Sequence, residues 1–362
     1  MADNTPKDIL TIAQKRRHVA LLQKLKDGKS LNSRELSELR FFEHGKREKL
    51  SVLQRREIDK LNKTEEQLLA QEIGPLPQVV NPERKMQAEG DFKFFCEQYF
   101  PDIFYLSWSD DHLKVIAKIE KSVLDGGLFA FAMPRGSGKS ALTMAAAMWA
   151  VLTGSRKYVC LIGSATRQSL NLYQGVKAAI LGNDKLLEDF PEVVFPLRKL
   201  ENNAQRQRGQ RLNRQLTHCQ WGTHKIVFPT VDGSPASGSV ISVDSLDSNI
   251  RGQVHTTIGG QMIRPDLVLV DDPQTRESAK SADQTTQRLA TLNGDVLGLS
   301  GPGKKISGLL TCTKIYAEDI APVVRIVEKH IGRHRDMGRR NGNLIGIRRG
   351  CGMGGIRRKT SA

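Results

Sequence analysis

Phe129 to Gly154 reads FAFAMPRGSGKSALTMAAAMWAVLTG. An apolar run enters a Gly-Ser-Gly-Lys-Ser turn, and an alanine-rich stretch with strong helix propensity leaves it. Strand, glycine turn and helix in that order form a phosphate cradle. Backbone N–H groups curl around the anion, and the helix N-terminus faces it. The pattern G-x-x-x-x-G-K-[ST] places Lys139 at the β- and γ-phosphates of ATP and the Ser140 hydroxyl on Mg²⁺. Its first position is Met133 instead of glycine. That change falls at the entry to the turn and spares the cradle itself, Gly136, Ser137, Gly138, Lys139 and Ser140. The bare G-x-G-K-S core also arises by chance in glycine-rich chains, so the flanking strand and helix carry the reading.

A phosphate loop needs an acidic partner at the end of another strand. RPDLVLVDDPQ, Arg264 to Gln274, supplies an apolar run followed by Asp271 and Asp272. Asp271 is placed to hold the metal shell, and Asp272 to orient or deprotonate the attacking water. Taken alone the stretch also reads as a strand ending in a solvated acidic turn. An aspartate has a shorter reach than the glutamate usual at the second position. Arg135, inside the loop, is placed to sense the γ-phosphate or to offset charge in the transition state. Its plainer reading is a salt-bridged loop residue.

Around these motifs, short apolar runs alternate with helical patterns. LFAFAM, YVCLIGS, HKIVFPT, SVISVDS, DLVLVDD and SGLLTCTKI read as strands. Helices are expected between the first three and after Pro273. Strands buried on both faces and separated by helices predict an α/β domain with a largely parallel sheet. The expected organisation is a helical region over 1–75, a linker over 76–87 and a P-loop ATPase domain over 88–322. The stretch 323–362 reads as a basic Gly/Arg-rich tail, either a nucleic-acid arm or the product of a shifted reading frame. A helix start is expected at Asn32, with Glu35 three residues on.

The net charge is +16, but Arg325 to Ala362 holds eleven Lys and Arg against two acids, more than half of the excess. Charge alone therefore says little about the remaining chain. Leu197 to Gln215 carries a further basic stripe, including Arg206, Arg208, Arg211 and Arg214. It reads either as a track for a DNA backbone or as a solvated insertion. Trp108, in YLSWSDDHL, reads as an adenine contact or as core. The five scattered cysteines lack a C-x-x-C pair, which argues for a reducing, intracellular setting. No apolar run is long enough for a membrane span.

As a set, these residues resemble a tailed-bacteriophage terminase large subunit. The resemblance rests on Arg135 before G-S-G-K-S, on RPDLVLVDDPQ, on SNIRGQ (Ser248 to Gln253) and on LLTCTKI (Leu309 to Ile315), and it covers roughly residues 88–322. It implies a RecA-like ATPase with ATP and Mg²⁺ as cofactors. Lys139 and Ser140 bind phosphate and Mg²⁺, Asp271 holds the metal, Asp272 is the catalytic carboxylate, and Thr311 and Thr313 couple hydrolysis to movement. It also implies a homo-oligomeric ring that packages double-stranded viral DNA, with a portal protein and a terminase small subunit as partners. The place of action would be the procapsid portal in the host cytoplasm, and the mature virion would lack the protein. The family usually continues into a metal-dependent nuclease. Glu328 and Asp336, the acids of the tail, are too few for a two-metal site, so no nuclease activity is expected in this chain. The alternatives are another RecA-like translocase or helicase, and a truncated, silent chain that binds DNA or partner proteins.

Overall fold

The computed structural model describes residues 12–44, 60, 71–248, 250, 252–301, 303–313, 315 and 320. The tail expectation for 323–362, the helical expectation over 1–11, 45–59 and 61–70, Asn249 and Arg251 of SNIRGQ, and Lys314 of LLTCTKI lie outside these residues. The chain divides into two compact units, the first reaching Pro75 and including Gly209–Leu216, the second holding Leu76–Arg208 and the residues from Thr217 onward.

In the first unit, helices α1 (Ile12–Lys26) and α2 (Ser33–His44) pack through Leu21, Leu31 and Leu39. The start of α2 is the one expected. Asn32 Oδ1 accepts the Glu35 N–H at 2.9 Å, and the Glu35 carboxylate accepts the Asn32 N–H at 3.2 Å. This reciprocal cap satisfies two otherwise unpaired donors. The Lys24 ammonium, 2.7 Å away, then holds the Glu35 carboxyl below its ordinary range.

The second unit is α/β, built on a seven-stranded, mostly parallel sheet. Its strands are β1 (Leu128–Ala132), β2 (Tyr158–Gly163), β5 (Gln220–Trp221), β6 (Lys225–Val227), β7 (Val240–Ser245), β10 (Leu267–Asp271) and β11 (Ser307–Cys312). The intervening β3 (Arg211–Leu212) and β4 (Gln215–Leu216) form a ribbon in the first unit, while β8 (His255–Thr256) and β9 (Met262–Ile263) form another in the second. The sheet order is β1-β11-β10-β2-β7-β6-β5, parallel from β1 to β7 and antiparallel beyond. All six stretches read as strands in the sequence are strands here.

Alternation along the strands explains why the sheet is buried on both sides. Val159, Leu161, Leu267 and Leu269 enter one core, and Cys160, Ile162, Val268 and Val270 enter the other. The first core is covered by α3 (Pro82–Gly90), α4 (Phe92–Tyr99), α5 (Asp110–Leu124), α6 (Lys139–Leu152) and α7 (Thr166–Gly182), followed by α8 (Asp184–Asp189) and α9 (Pro191–Arg198). The second lies beneath Leu289, Leu292, Val296 and Leu299, supplied by α11 (Ala282–Thr291) and the turn after it; α10 (Arg276–Ala279) precedes them. The first helix of this unit starts within the expected linker. Pro82 occupies the first turn, where its missing N–H costs nothing, and Asn81 caps Arg84 N at 2.9 Å.

Register brings the site together. Ala132 pairs with Cys312, while Asp271 pairs with both Thr311 and Gly163. The phosphate-loop sequence, the acidic pair and the hydroxyl-bearing strand therefore share the carboxyl edge of the parallel sheet, where ligands bind in open α/β folds.

Candidate active site

The loop shows why Met133 is tolerated. Met133 N–H donates to Cys312 O at 3.0 Å, so the ladder to β11 continues past β1. Its side chain is buried in the core beneath the loop, and its φ is not positive. Gly136 and Gly138 do have positive φ, +77° and +76°, and nothing lies within 4 Å of the place a Cβ would occupy. Glycine thus stands where the backbone and the open cradle require it, and the entry position requires an apolar anchor. Restoring the motif glycine by Met133→Gly is expected to destabilise the protein by about 2–5 kcal/mol, the range for emptying a buried Met site. Denaturant titration checks this, and an unchanged midpoint would refute the anchoring role.

Beyond the glycines, α6 begins at Lys139, which is 5 % exposed. Its ammonium donates to Pro134 O at 2.8 Å and to Met133 O at 3.3 Å, so the loop holds its cation on its own carbonyls. Pro134 O also accepts the Ser137 hydroxyl at 2.8 Å. The Ser140 hydroxyl donates to Asp271 Oδ2 at 2.6 Å, which ties together residues 131 positions apart. Thr311 Oγ1 donates to the other carboxylate oxygen at 2.8 Å. Asp271 is buried, and desolvation raises its pKa against the lowering effect of these two hydrogen bonds.

Asp272 has a φ of +41°. For a non-glycine residue, and one preceding a proline, such a backbone costs about 1–3 kcal/mol and persists only where its surroundings over-determine it. Here the Asp272 N–H donates to Thr311 O at 2.9 Å, and Thr313 Oγ1 donates to Asp272 Oδ1 at 3.0 Å. Thr311 and Thr313, singled out in LLTCTKI, thus grip one carboxylate each.

The donor set fits a magnesium nucleotide. Mg²⁺ takes one or two carboxylates and completes its shell with substrate phosphates and water. One carboxylate and one hydroxyl converge at Asp271 and Ser140, beside an open glycine cradle at a helix N-terminus. No group of three or more His, Cys, Asp or Glu able to hold a metal occurs among the described residues.

Arg135 is exposed and makes no ion pair with any described residue, so the salt-bridged reading is not what the structure contains. The basic stripe divides. Arg206 and Arg208 belong to the second unit, where Arg206 pairs with Glu201 at 2.7 Å, and Arg211 and Arg214 belong to the ribbon of the first unit. Trp108 packs partly buried against the core and donates to Glu97 at 2.7 Å. Four residues near the site carried no usable signal in spacing. His112 Nδ1 accepts from the Ser109 hydroxyl at 2.7 Å, which leaves Nε2–H to donate to Ser137 O of the loop at 3.0 Å. Ser164 donates its hydroxyl to Gln168, and Arg288 donates to the carbonyls of Ser164 and Pro273.

No family model matches the chain, and no curated protein matches it either. Among the described residues no helix is long and apolar enough to cross a membrane.

Proposed function

We propose that the second unit is a RecA-like ATPase that hydrolyses ATP with Mg²⁺ and drives double-stranded DNA, as the motor portion of a phage terminase large subunit. The observation that carries the ATPase reading is the 2.6 Å bond between Ser140 and Asp271, which joins the two motifs at one point. The strand order supports it. The hydroxyl-bearing β11 lies between the loop strand β1 and the acidic strand β10. The motor reading rests on the resemblance of the four motifs, with the portal protein, the small subunit and a ring of copies as the assembly it entails.

Each residue then has a role. The ammonium of Lys139 leaves the loop carbonyls for the β- and γ-phosphates, and the N–H groups of Gly136 to Ser140 line the phosphate oxygens. Ser140 and Asp271 hold Mg²⁺, which when bound offsets charge on the phosphate oxygens. Asp272, steadied by Thr313, orients the attacking water and accepts its proton. Arg135, exposed beside the cradle, offsets charge in the transition state.

The test is ATP hydrolysis with Mg²⁺, with and without double-stranded DNA. Turnover that DNA stimulates is expected. Turnover indifferent to DNA would remove the motor reading, and no turnover in a folded chain that binds DNA would favour a silent binding fragment.

A further inference from the structure

Arg288 lies on α11, sixteen positions beyond Asp272, and its side chain is only 12 % exposed. One guanidinium nitrogen donates to Ser164 O at 3.0 Å and to Pro273 O at 2.9 Å. The other terminal nitrogen donates to Asp247 Oδ1 at 2.7 Å. These acceptors follow three neighbouring parallel strands: Ser164 comes directly after β2, Pro273 two residues after β10, and Asp247 two residues after β7. A planar fork with several fixed donors can serve three such acceptors at once, and a lysine ammonium cannot do so in the same geometry.

The Pro273 carbonyl belongs to the residue directly after Asp272. The left-handed backbone of Asp272 is fixed on its N–H side by Thr311 O and at its carboxylate by Thr313. Gln274 donates its side chain to Thr285 at 2.8 Å, which anchors the segment without fixing the Asp272–Pro273–Gln274 peptide planes. Arg288 supplies that restraint. It also links it to Ser164, whose hydroxyl donates to Gln168, and Gln168 Nε2 reaches toward Asp271 O at 3.5 Å.

We propose that Arg288 is a positioning residue for hydrolysis, a clasp that holds the backbone after Asp272 and so keeps the catalytic carboxylate on Thr313. The inference rests on the ATPase reading above. It adds that the loop after β7, through Asp247, bears on the same clasp.

The experiment compares the full chain with Arg288→Ala, Arg288→Lys and Asp247→Asn. Steady-state ATP hydrolysis, binding of a fluorescent non-hydrolysable ATP analogue and thermal melting are measured on each. A crystal structure of Arg288→Ala completes the set. Arg288→Ala is expected to lower kcat about 10- to 100-fold, the scale of a misplaced catalytic group. The analogue Kd should stay within about twofold, since no phosphate contact is lost. Arg288→Lys should recover part of the rate, and Asp247→Asn should lose less than either. In the crystal, Asp272 should leave its positive φ and lose Thr313. An unchanged kcat in folded Arg288→Ala would overturn the proposal, and so would equal losses of kcat and analogue affinity. Should Arg288→Ala fail to fold, Arg288→Lys carries the same kcat-against-Kd comparison. A wild-type chain that binds the analogue without turning over ATP would refute the hydrolytic reading alone. The crystal structure would still decide the clasp, because Asp272 unmoved in the variant would refute it.

Discussion

Lys139→Ala is expected to lower kcat/KM for ATP by about 10³-fold, equivalent to about 4 kcal/mol of transition-state stabilisation. The expectation follows from where the ammonium sits and from what it lacks. It is buried, it bonds only the neutral carbonyls of Met133 and Pro134, and it makes no ion pair among the described residues. A buried cation without a fixed anion is available to a phosphate in a way that a salt-bridged one is not. The fold should tolerate the change, because Pro134 O keeps the Ser137 hydroxyl as a donor. The measurement is initial-rate hydrolysis beside a thermal melt. Retained turnover in the variant would remove Lys139, and with it the loop, from the chemistry.

Asp271→Asn should move activity and stability in opposite directions. Hydrolysis should fall by about 10²–10³-fold, because the carboxylate oxygen bonded to Ser140 is lost to the metal. The nucleotide-free protein should nevertheless melt higher near neutral pH. Burial raises the Asp271 pKa in the folded state, so the folded protein holds this proton more tightly than the unfolded chain does. Stability from this group is therefore complete below the ordinary carboxylate range and is lost as pH rises through the raised folded value. At neutral pH the wild-type site carries that loss, and asparagine, neutral throughout, does not. Melting curves from acid to neutral pH should diverge with rising pH, and Mg²⁺ with nucleotide should narrow the gap by stabilising only the wild type. A variant less stable than wild type at neutral pH would show that the Ser140 and Thr311 bonds outweigh desolvation.

The sheet was legible in the sequence because its central strands are buried on both faces, so VCLI and LVLV read as continuous apolar runs. Ribbons of two-residue strands, β3 with β4 and β8 with β9, left no such run to detect. The helix at Pro82 was hidden because a proline that ends one element also opens the next. At the candidate site, the glycine turn over Gly136–Ser140 and the acidic pair Asp271 and Asp272 were legible in the sequence because each is a run of neighbouring residues, and the fold brings the two runs together. His112, Ser164, Gln168 and Arg288 were not, since each acts through a backbone carbonyl or a distant side chain that only the tertiary fold brings near. The positive φ of Asp272 was equally hidden, because the Thr311 carbonyl that holds its N–H lies on β11 and the Thr313 hydroxyl that holds its carboxylate lies just after it.

The place of β11 also sets a dimension. β1 and β10 each hydrogen-bond β11, which lies between them, so the backbones of the strands leading to the glycine loop and to the acidic pair run two interstrand steps apart, about 10 Å. Backbone hydrogen bonds fix that interval and side chains do not enter into it. Methionine in place of glycine at the mouth of the loop therefore leaves the spacing of these strands unchanged, since Met133 still donates its N–H to Cys312 O.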